Sequence, residues 1–443
     1  MIDSSNKNKT NTSCTKSNTD LNDIFYFQIT EKCVGCTKCA RVCPVSCISG
    51  KVKERHVIDT TKCVKCGQCI SACPMGALPK INFISEAKKA LNQKDKLVIT
   101  QVAPAIRATL GEYFGLEPGT LVTGKMVAAL RAIGFDKVFD TDFAADLTIM
   151  EEATEFAHRL KHGGKLPILT SCCPGWINFF EHDFRDLADI PSSCKSPQQM
   201  FGTIAKTYFA QKMNIEPKDI IVVSIMPCLA KKYEAARPEM TTDGTRDVDI
   251  VISTQELAEL IKENNIDFNS LEDDDFDKPL GESSGAGTIF GTSGGVAEAA
   301  IRTAYELITN ETIPALEFKG VRGLNGLKEA EVEINGEKIK IAIANGLATA
   351  RELLNSIRNG EKNYHLIEIM ACQGGCIGSG MQPFIKNHCN IIQKRSEALY
   401  SEDRHKTLRK SHENPYVLKI YEEFLGEPYG EKAHKYLHTE YVK

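Results

Sequence analysis

Lys32-Cys33-Val34-Gly35-Cys36-Thr37-Lys38-Cys39-Ala40-Arg41-Val42-Cys43-Pro44 is answered thirty residues later by Lys62-Cys63-Val64-Lys65-Cys66-Gly67-Gln68-Cys69-Ile70-Ser71-Ala72-Cys73-Pro74. Three cysteines spaced by two residues wrap a tight loop around one face of an iron–sulfur cube, and the fourth, before proline, ligates the other cube. By that crossed rule Cys33, Cys36, Cys39 and Cys73 hold one [4Fe-4S] cluster, and Cys63, Cys66, Cys69 and Cys43 hold a second. Zinc sites need only paired Cys-x-x-Cys knuckles, and nothing in zinc chemistry asks for the third cysteine and the Cys-Pro twice.

The segment resembles the bacterial two-cluster ferredoxins over roughly residues 26 to 80, which implies a small α+β domain at 25–82. Nine Lys or Arg and three Asp or Glu lie between residues 31 and 80, a formal +6. That charge either docks an acidic electron carrier or only offsets the anionic clusters.

Outward from this repeat the chain is ordinary in composition. It has 443 residues, 42% apolar and 25% charged, with a net charge of -4 and one Trp. That suits a protein of several structural units with a sizeable core. No apolar run is long enough to span a membrane, and no basic block speaks for nucleic acid. Ten of the 17 cysteines lie in the first 73 residues, which is local cluster chemistry and not a secreted disulfide scaffold. Residues 1–24 are polar and read as a flexible tail. They carry no Arg and no signal-peptide pattern, so a cytoplasmic location is expected.

Beyond residue 90 apolar runs alternate with amphipathic stretches, as in an α/β domain. Strands are expected over 96–102, 166–169, 220–225, 249–252 and 365–369. A hairpin over 330–334 and 338–344, joined by Asn335-Gly336, makes the sheet mixed. Several strands end in unusual loops: Ala103-Pro104, Thr170-Ser171-Cys172-Cys173-Pro174, Met226-Pro227-Cys228 and Met370-Ala371-Cys372-Gln373-Gly374-Gly375-Cys376. Ligands of open α/β sheets bind beyond the carboxyl ends of strands, so these loops can converge. Cys173, Cys228, Cys372 and Cys376 are enough for a third [4Fe-4S] cluster. Cys172 is left over, either as a proton-carrying thiol beside a redox centre or as a small buried hydrophobe.

These three cysteine segments, in this order, resemble the signatures of the FeFe (iron-only) hydrogenases. With the ferredoxin-like repeat in front and Arg409-Lys410-Ser411-His412-Glu413-Asn414 near the end, the likeness covers nearly everything after the tail. It implies a two-lobed α/β catalytic domain over 83–443, with a C-terminal helical segment and the active-site cluster between the lobes. That cluster, the H-cluster, is a [4Fe-4S] cube joined to a diiron unit carrying CO, cyanide and azadithiolate. Cys376 is then the bridging ligand, Cys173, Cys228 and Cys372 hold the rest of the cube, and Lys231 contacts a cyanide. Ala103, Pro104, Ser196, Gln198, Met226, Phe290 and Met370 line the pocket, and Gly374 and Gly375 bring backbone close to the cluster.

The resemblance also maps a proton relay onto Cys172, Glu152, Ser192, Glu155 and Arg159. Periodicity agrees independently, since Glu152, Glu155 and Arg159 share one face of a helix expected over 148–160. The implied reaction is the reversible reduction of protons to hydrogen. Its partners are a soluble ferredoxin or flavodoxin and the enzymes that build the diiron unit. A non-catalytic iron–sulfur assembly factor and a hydrogen sensor are the rival readings. Where the family usually carries three glycines after the bridging cysteine, this chain has Ser379-Gly380-Met381, so different packing beside the diiron site is expected. Cys194 is an added thiol near the pocket, read as packing or redox protection, and Cys14, Cys47 and Cys389 have no assigned task.

Overall fold

The computed structural model describes residues 28–79, 81–324, 326–384 and 388–441, without the side chains of 388 and 389. The expected tail over 1–24, Cys14 and the Cys389 thiol lie outside what is described.

The internal repeat folds as two matching loops, each followed by a short helix, Lys38–Arg41 and Gln68–Ala72. A small antiparallel ladder joins β1 (Ile48–Ser49) to β2 (Val57–Ile58). The duplication extends to the backbone. Gly35 and Lys65, Thr37 and Gly67, and Ser46 and Gly76 are equivalent pairs, and all six residues have φ between 52° and 83°. Left-handed residues inside each cysteine loop curl it tightly enough to aim three thiols inward, and geometry outweighs residue preference at Thr37 and Lys65.

Two four-stranded sheets follow. The first contains β3 (Leu97–Val102), β4 (Lys137–Asp140), β6 (Ile220–Met226) and β9 (Ile250–Ser253), in the order β4-β3-β6-β9, all parallel. A minor hairpin, β7 (Thr241–Thr242) with β8 (Thr245–Arg246), sits outside it. The second sheet is mixed. Its order is β10 (Leu327–Ile334), β11 (Glu337–Asn345), β12 (Leu366–Met370), β5 (Ile168–Leu169), with only β10 and β11 antiparallel. The mixed character thus belongs to one sheet alone. The β4 strand escapes the sequence reading because four residues flanked by charges carry little pattern, and pairing to β3 makes it a strand.

Both sheets are covered on both faces. On β11, Ile341 and Ile343 join one apolar cluster, packed on the helix Gly295–Thr309, while Ala342 and Ala344 join another with Trp176, Phe180 and Leu354. Strands buried this way read as continuous apolar runs, and each buried Ile or Val contributes about 1.5–3 kcal/mol.

The helix Thr141–His162 is longer than the expected 148–160. It starts at Asp140, whose side chain accepts from the Asp142 amide, and ends at Gly163 in the left-handed region. Its acidic residues are partnered from far along the chain. Asp146 takes hydrogen bonds from Ser284, Ser411 and Asn414. The segment Arg409–Asn414 is therefore a clasp that pins the C-terminal region to this helix, with Arg409 on Asp403 and His412 on Glu306. Among the described residues no helix is long and apolar enough to cross a membrane.

Candidate active site between the two sheets

The carboxyl ends of the two sheets face each other. From the first come Ala103 and Pro104 after β3, and Met226, Pro227 and Cys228 at the end of β6. From the second come Cys172 and Cys173 after β5, and Met370 and Cys376 after β12; together with Gln198, Lys231 and Phe290 they line one cavity. Proline stands at the first helical position after two of these loops, Pro104 and Pro174, and again at Pro197 just before Gln198. There its fixed φ starts a helix while its missing N–H costs nothing, so each loop is short and its strand-end residues stay aimed at the cavity.

The 372–376 loop is held by Asn345, whose side-chain oxygen accepts from the Gly374 amide at 2.9 Å, and by Ser293, whose amide donates to the Gly374 carbonyl at 3.1 Å. Gly374 and Gly375 have φ of 80° and 87°. A Cβ on Gly375 would lie 2.7 Å from the Ser293 amide nitrogen, and one on Gly374 would lie 2.3 Å from Ile392. The two glycines therefore answer to neighbouring protein as well as to backbone conformation.

The thiols of Cys228, Cys372 and Cys376 are held high, first by burial and then by one another and Cys173, Cys228 reaching about 12. Four converging sulfurs would repel one another as thiolates, so without a cation between them they stay protonated. A bound cationic cluster relieves the repulsion, so the donor set fits an iron–sulfur cube. The front repeat forms two further nests, one lined by Cys33, Cys36, Cys39 and Cys73, the other by Cys43, Cys63, Cys66 and Cys69. Cys47 also lines the second nest, its Sγ 3.4 Å from that of Cys43. The internal repeat pairs Cys47 with Ala77, the signal that marks it as an extra thiol.

Lys231 is buried, and its ammonium donates to the Glu234 carboxylate at 2.9 Å and the Cys172 carbonyl at 3.0 Å. Burial pulls its pKa down, but Glu234 outweighs this and leaves it raised, so the ammonium is charged. Two of its three donors are used, leaving one for the cavity. Glu234 also accepts from Ser196 Oγ at 3.0 Å and Gln198 Nε2 at 2.9 Å. Ser196 therefore points at this hub and is not among the cavity-lining residues. Sequence reasoning passed over Glu234, though it stands three residues after Lys231 on the helix Ala230–Ala236, a spacing that pairs opposite charges.

Behind Cys172 the acidic groups follow one another along the helix Thr141–His162. Glu152 is buried and accepts from the Ser171 amide at 3.1 Å, and burial pushes its carboxyl up to about 8. Ser192 Oγ donates to Glu155 Oε2 at 2.8 Å, while Glu152 Oε2 makes no hydrogen bond among the described residues. Arg159, partly exposed, reaches Glu155 Oε1 at 2.6 Å and the backbone carbonyls of Lys165, Ile190 and Pro191.

Residues 96–380 match the iron only hydrogenase large subunit, C-terminal domain, residues 389–443 the iron hydrogenase small subunit, and residues 32–77 the 4Fe-4S dicluster domain. The chain belongs to the iron-only hydrogenase family. It is 58% identical over 374 residues to the NADP-reducing hydrogenase subunit HndD of Solidesulfovibrio fructosivorans, and 47% identical over 373 residues to iron hydrogenase 1 of Clostridium pasteurianum. Each match covers 83% of this chain but only 64% and 65% of those relatives' lengths. A solved FeFe hydrogenase from Chlamydomonas reinhardtii superposes with a TM-score of 0.73 at 43% identity, covering 82% of this chain and 99% of that one. A more distant likeness, 34% identity over 79% of the chain, is to the protein NAR1 of Arabidopsis thaliana.

The loop after Cys376 differs from what the sequence suggested. Ser379 Oγ donates to the Pro227 carbonyl at 2.6 Å, the Gly380 carbonyl accepts from Ser71, and Met381 packs with Leu229 and Ile70. A Cβ on Gly380 would lie 2.5 Å from the Gln68 amide. The Ser-Gly-Met departure therefore faces the ferredoxin-like domain, and neither Ser379 nor Met381 is among the residues lining the cavity.

Proposed function

We propose that this hydrogenase-family chain catalyses the reversible reduction of protons to molecular hydrogen at an H-cluster held by Cys173, Cys228, Cys372 and Cys376. Electrons arrive through two [4Fe-4S] clusters in the front nests, donated by a soluble ferredoxin or flavodoxin that meets the basic face of residues 31–80. Maturation enzymes supply the diiron unit. The observation that carries the reading is the series Cys172, Glu152, Ser192, Glu155 and Arg159 from the cavity towards the surface, hydrogen-bonded from Ser192 through Glu155 to Arg159, beside a nest of four cysteines.

When bound, the diiron unit supplies the iron site and basic amine at which protons and electrons combine. The chain's residues do the rest. Cys172 carries a proton between the cavity and Glu152; burial keeps its thiol well above the usual range, so it holds its proton until a stronger base calls for it. Glu152, at about 8, is matched to exchange near neutral pH. The Ser192 hydroxyl both donates and accepts, so it passes a proton between two carboxylates without itself becoming charged. Arg159 keeps Glu155 oriented at the surface end. Lys231 offers a fixed positive charge to anionic ligands of the diiron unit, while Met226, Met370 and Phe290 keep bulk water away.

An assembly-factor role, favoured by the NAR1 likeness, would need the cysteine nests but has no use for a line of proton-carrying groups. Hydrogen evolution from reduced methyl viologen, with anaerobic protein reconstituted with iron, sulfide and a synthetic diiron cofactor, separates the two. Turnover that disappears in Cys172→Ala is expected. No turnover, with no infrared bands from bound CO or cyanide, overturns the proposal.

A further inference from the structure

Beside the proton line, and sharing Glu155 with it, stands a second group of metal-ligating side chains, of which the reaction does not use Cys194 and His438. Glu155 Oε2 lies 3.9 Å from Cys194 Sγ, Cys194 Sγ lies 4.0 Å from His438 Nδ1, and the three ligand atoms fall within 4.8 Å of one another. Their residues are 1%, 0% and 8% exposed. The trio is built by the fold: residues 194 and 438 form an antiparallel bridge, closed by the Lys195 amide on the Leu437 carbonyl and the Thr439 amide on the Ser193 carbonyl, both at 2.8 Å. The imidazole is oriented from behind, with Nε2 2.8 Å from Glu151 Oε2. Nε2 therefore carries the hydrogen and Nδ1 presents its lone pair, which now accepts from Ser193 Oγ at 2.8 Å.

We propose that Glu155, Cys194 and His438 bind a divalent cation of the zinc class, and that the bound ion shuts the proton line. One thiolate, one imidazole and one carboxylate are a zinc-type donor set. A carboxylate on the far nitrogen of the histidine is the outer support such ligands carry. Tetrahedral zinc with bonds of about 2.0–2.3 Å sets its ligands roughly 3.3–3.7 Å apart, so the two spacings to Cys194 Sγ, 3.9 and 4.0 Å, close with shifts of a few tenths of an ångström, and Glu155 and His438, within 4.8 Å of each other, draw together around the ion. Ser193 or a water completes the shell. The cation displaces one proton from the Cys194 thiol to solvent, so uptake strengthens as pH rises. The other cluster of this kind, Glu306 with His412 and Glu413, already holds a cation: the Lys410 ammonium sits 2.8 and 2.6 Å from its two carboxylates. At Glu155, Arg159 occupies Oε1 and leaves Oε2 to face the thiol.

The blocking half of the proposal rests on the relay reading above. Glu155 Oε2 is the oxygen that accepts from Ser192, and an oxygen bound to zinc takes no proton. Inhibition then arises on the proton side without contact to the cysteine nests.

The test uses the loaded holoenzyme under anaerobic conditions with zinc sulfate at pH 8. The expected result is one zinc per chain by mass spectrometry, with an X-ray absorption spectrum at the zinc edge showing one sulfur at about 2.3 Å and nitrogen or oxygen neighbours at about 2.0 Å. Hydrogen evolution should fall at least tenfold and recover with a chelator. Cys194→Ala and His438→Gln should each weaken zinc binding at least 100-fold and abolish inhibition, with iron content unchanged as the control for folding. A zinc shell without sulfur, or with four sulfurs as in a raided cysteine nest, overturns the site. Zinc bound in the one-sulfur shell with hydrogen evolution unchanged overturns the block, and with it the place of Glu155 in the relay.

Discussion

The side-chain amide of Gln68 lies 3.5 Å from Cys372 Sγ and donates a second hydrogen bond to the Gly378 carbonyl at 3.0 Å. Gln68 sits between Cys66 and Cys69 of the front repeat, so one side chain couples the second front nest to the buried one. An N–H directed at a ligand sulfur stabilises the more negative, reduced state of a cube. In Gln68→Leu the potential of the buried cube should move about 40 mV more negative. That follows from roughly 1 kcal/mol per hydrogen bond and 59 mV per tenfold change in a one-electron couple. Redox titration followed by electron paramagnetic resonance reads the shift; an unchanged potential removes the coupling role.

Glu152 ties stability to pH. Its carboxyl is pushed up from an ordinary 4.5 to about 8 by burial, with Glu155 adding to the effect and Ser171 and Ser192 opposing it. The folded state then holds the proton more tightly than the unfolded chain, so the group costs nothing below about pH 4.5. Its cost grows as pH rises to about 8, reaching on the order of a few kcal/mol. Glu152→Gln lacks that cost. Its melting temperature relative to the parent should climb between about pH 4.5 and 8 and level off above, while hydrogen evolution falls roughly 100-fold or more. A melting difference that does not change with pH contradicts the assignment.

Two glycines with similar φ should respond differently to alanine. Gly336, in the β10–β11 turn at φ 78°, has nothing within 4 Å of an added Cβ, whereas Gly375 at φ 87° meets the Ser293 and Thr292 backbone at 2.7 Å. Gly336→Ala pays only for the left-handed conformation, about 1 kcal/mol. Gly375→Ala adds a backbone collision and should cost roughly 3 kcal/mol or more, with loss of iron from the buried nest. Denaturant midpoints of the two variants, with iron analysis, make the comparison; equal costs would mean that the 372–376 loop yields freely.

The clasp at Arg409–Asn414 depends on Asp146. In Asp146→Ala the Ser284 amide and the side chains of Ser411 and Asn414 lose their acceptor inside the protein. About 3 kcal/mol of stability should go with them, since each stranded donor costs about 1–3 kcal/mol before relaxation. Limited proteolysis should open new cleavage between residues 403 and 415. Unchanged protection there would show that the ion pairs of Arg409 and Lys410 suffice.

The sequence by itself determined whatever is written in local spacing. Cysteines in the Cys-x-x-Cys-x-x-Cys pattern can only curl around a common centre, the strands 96–102 and 220–225 carry the apolar runs Leu97-Val98-Ile99 and Ile220-Ile221-Val222-Val223, and Glu152, Glu155 and Arg159 recur at helical period. What spacing could not decide was which groups from distant segments meet. Gln68 touches Cys372 across 304 residues, Cys194 meets His438 across 244, and the Ser196 hydroxyl turns to Glu234 instead of the cavity. The Ser379-Gly380-Met381 loop likewise packs on the front domain because Ser71 and Ile70 stand there. Such contacts depend on side-chain direction at a few tenths of an ångström, set by how two sheets and a helix pack together, and no periodicity in the chain encodes that packing.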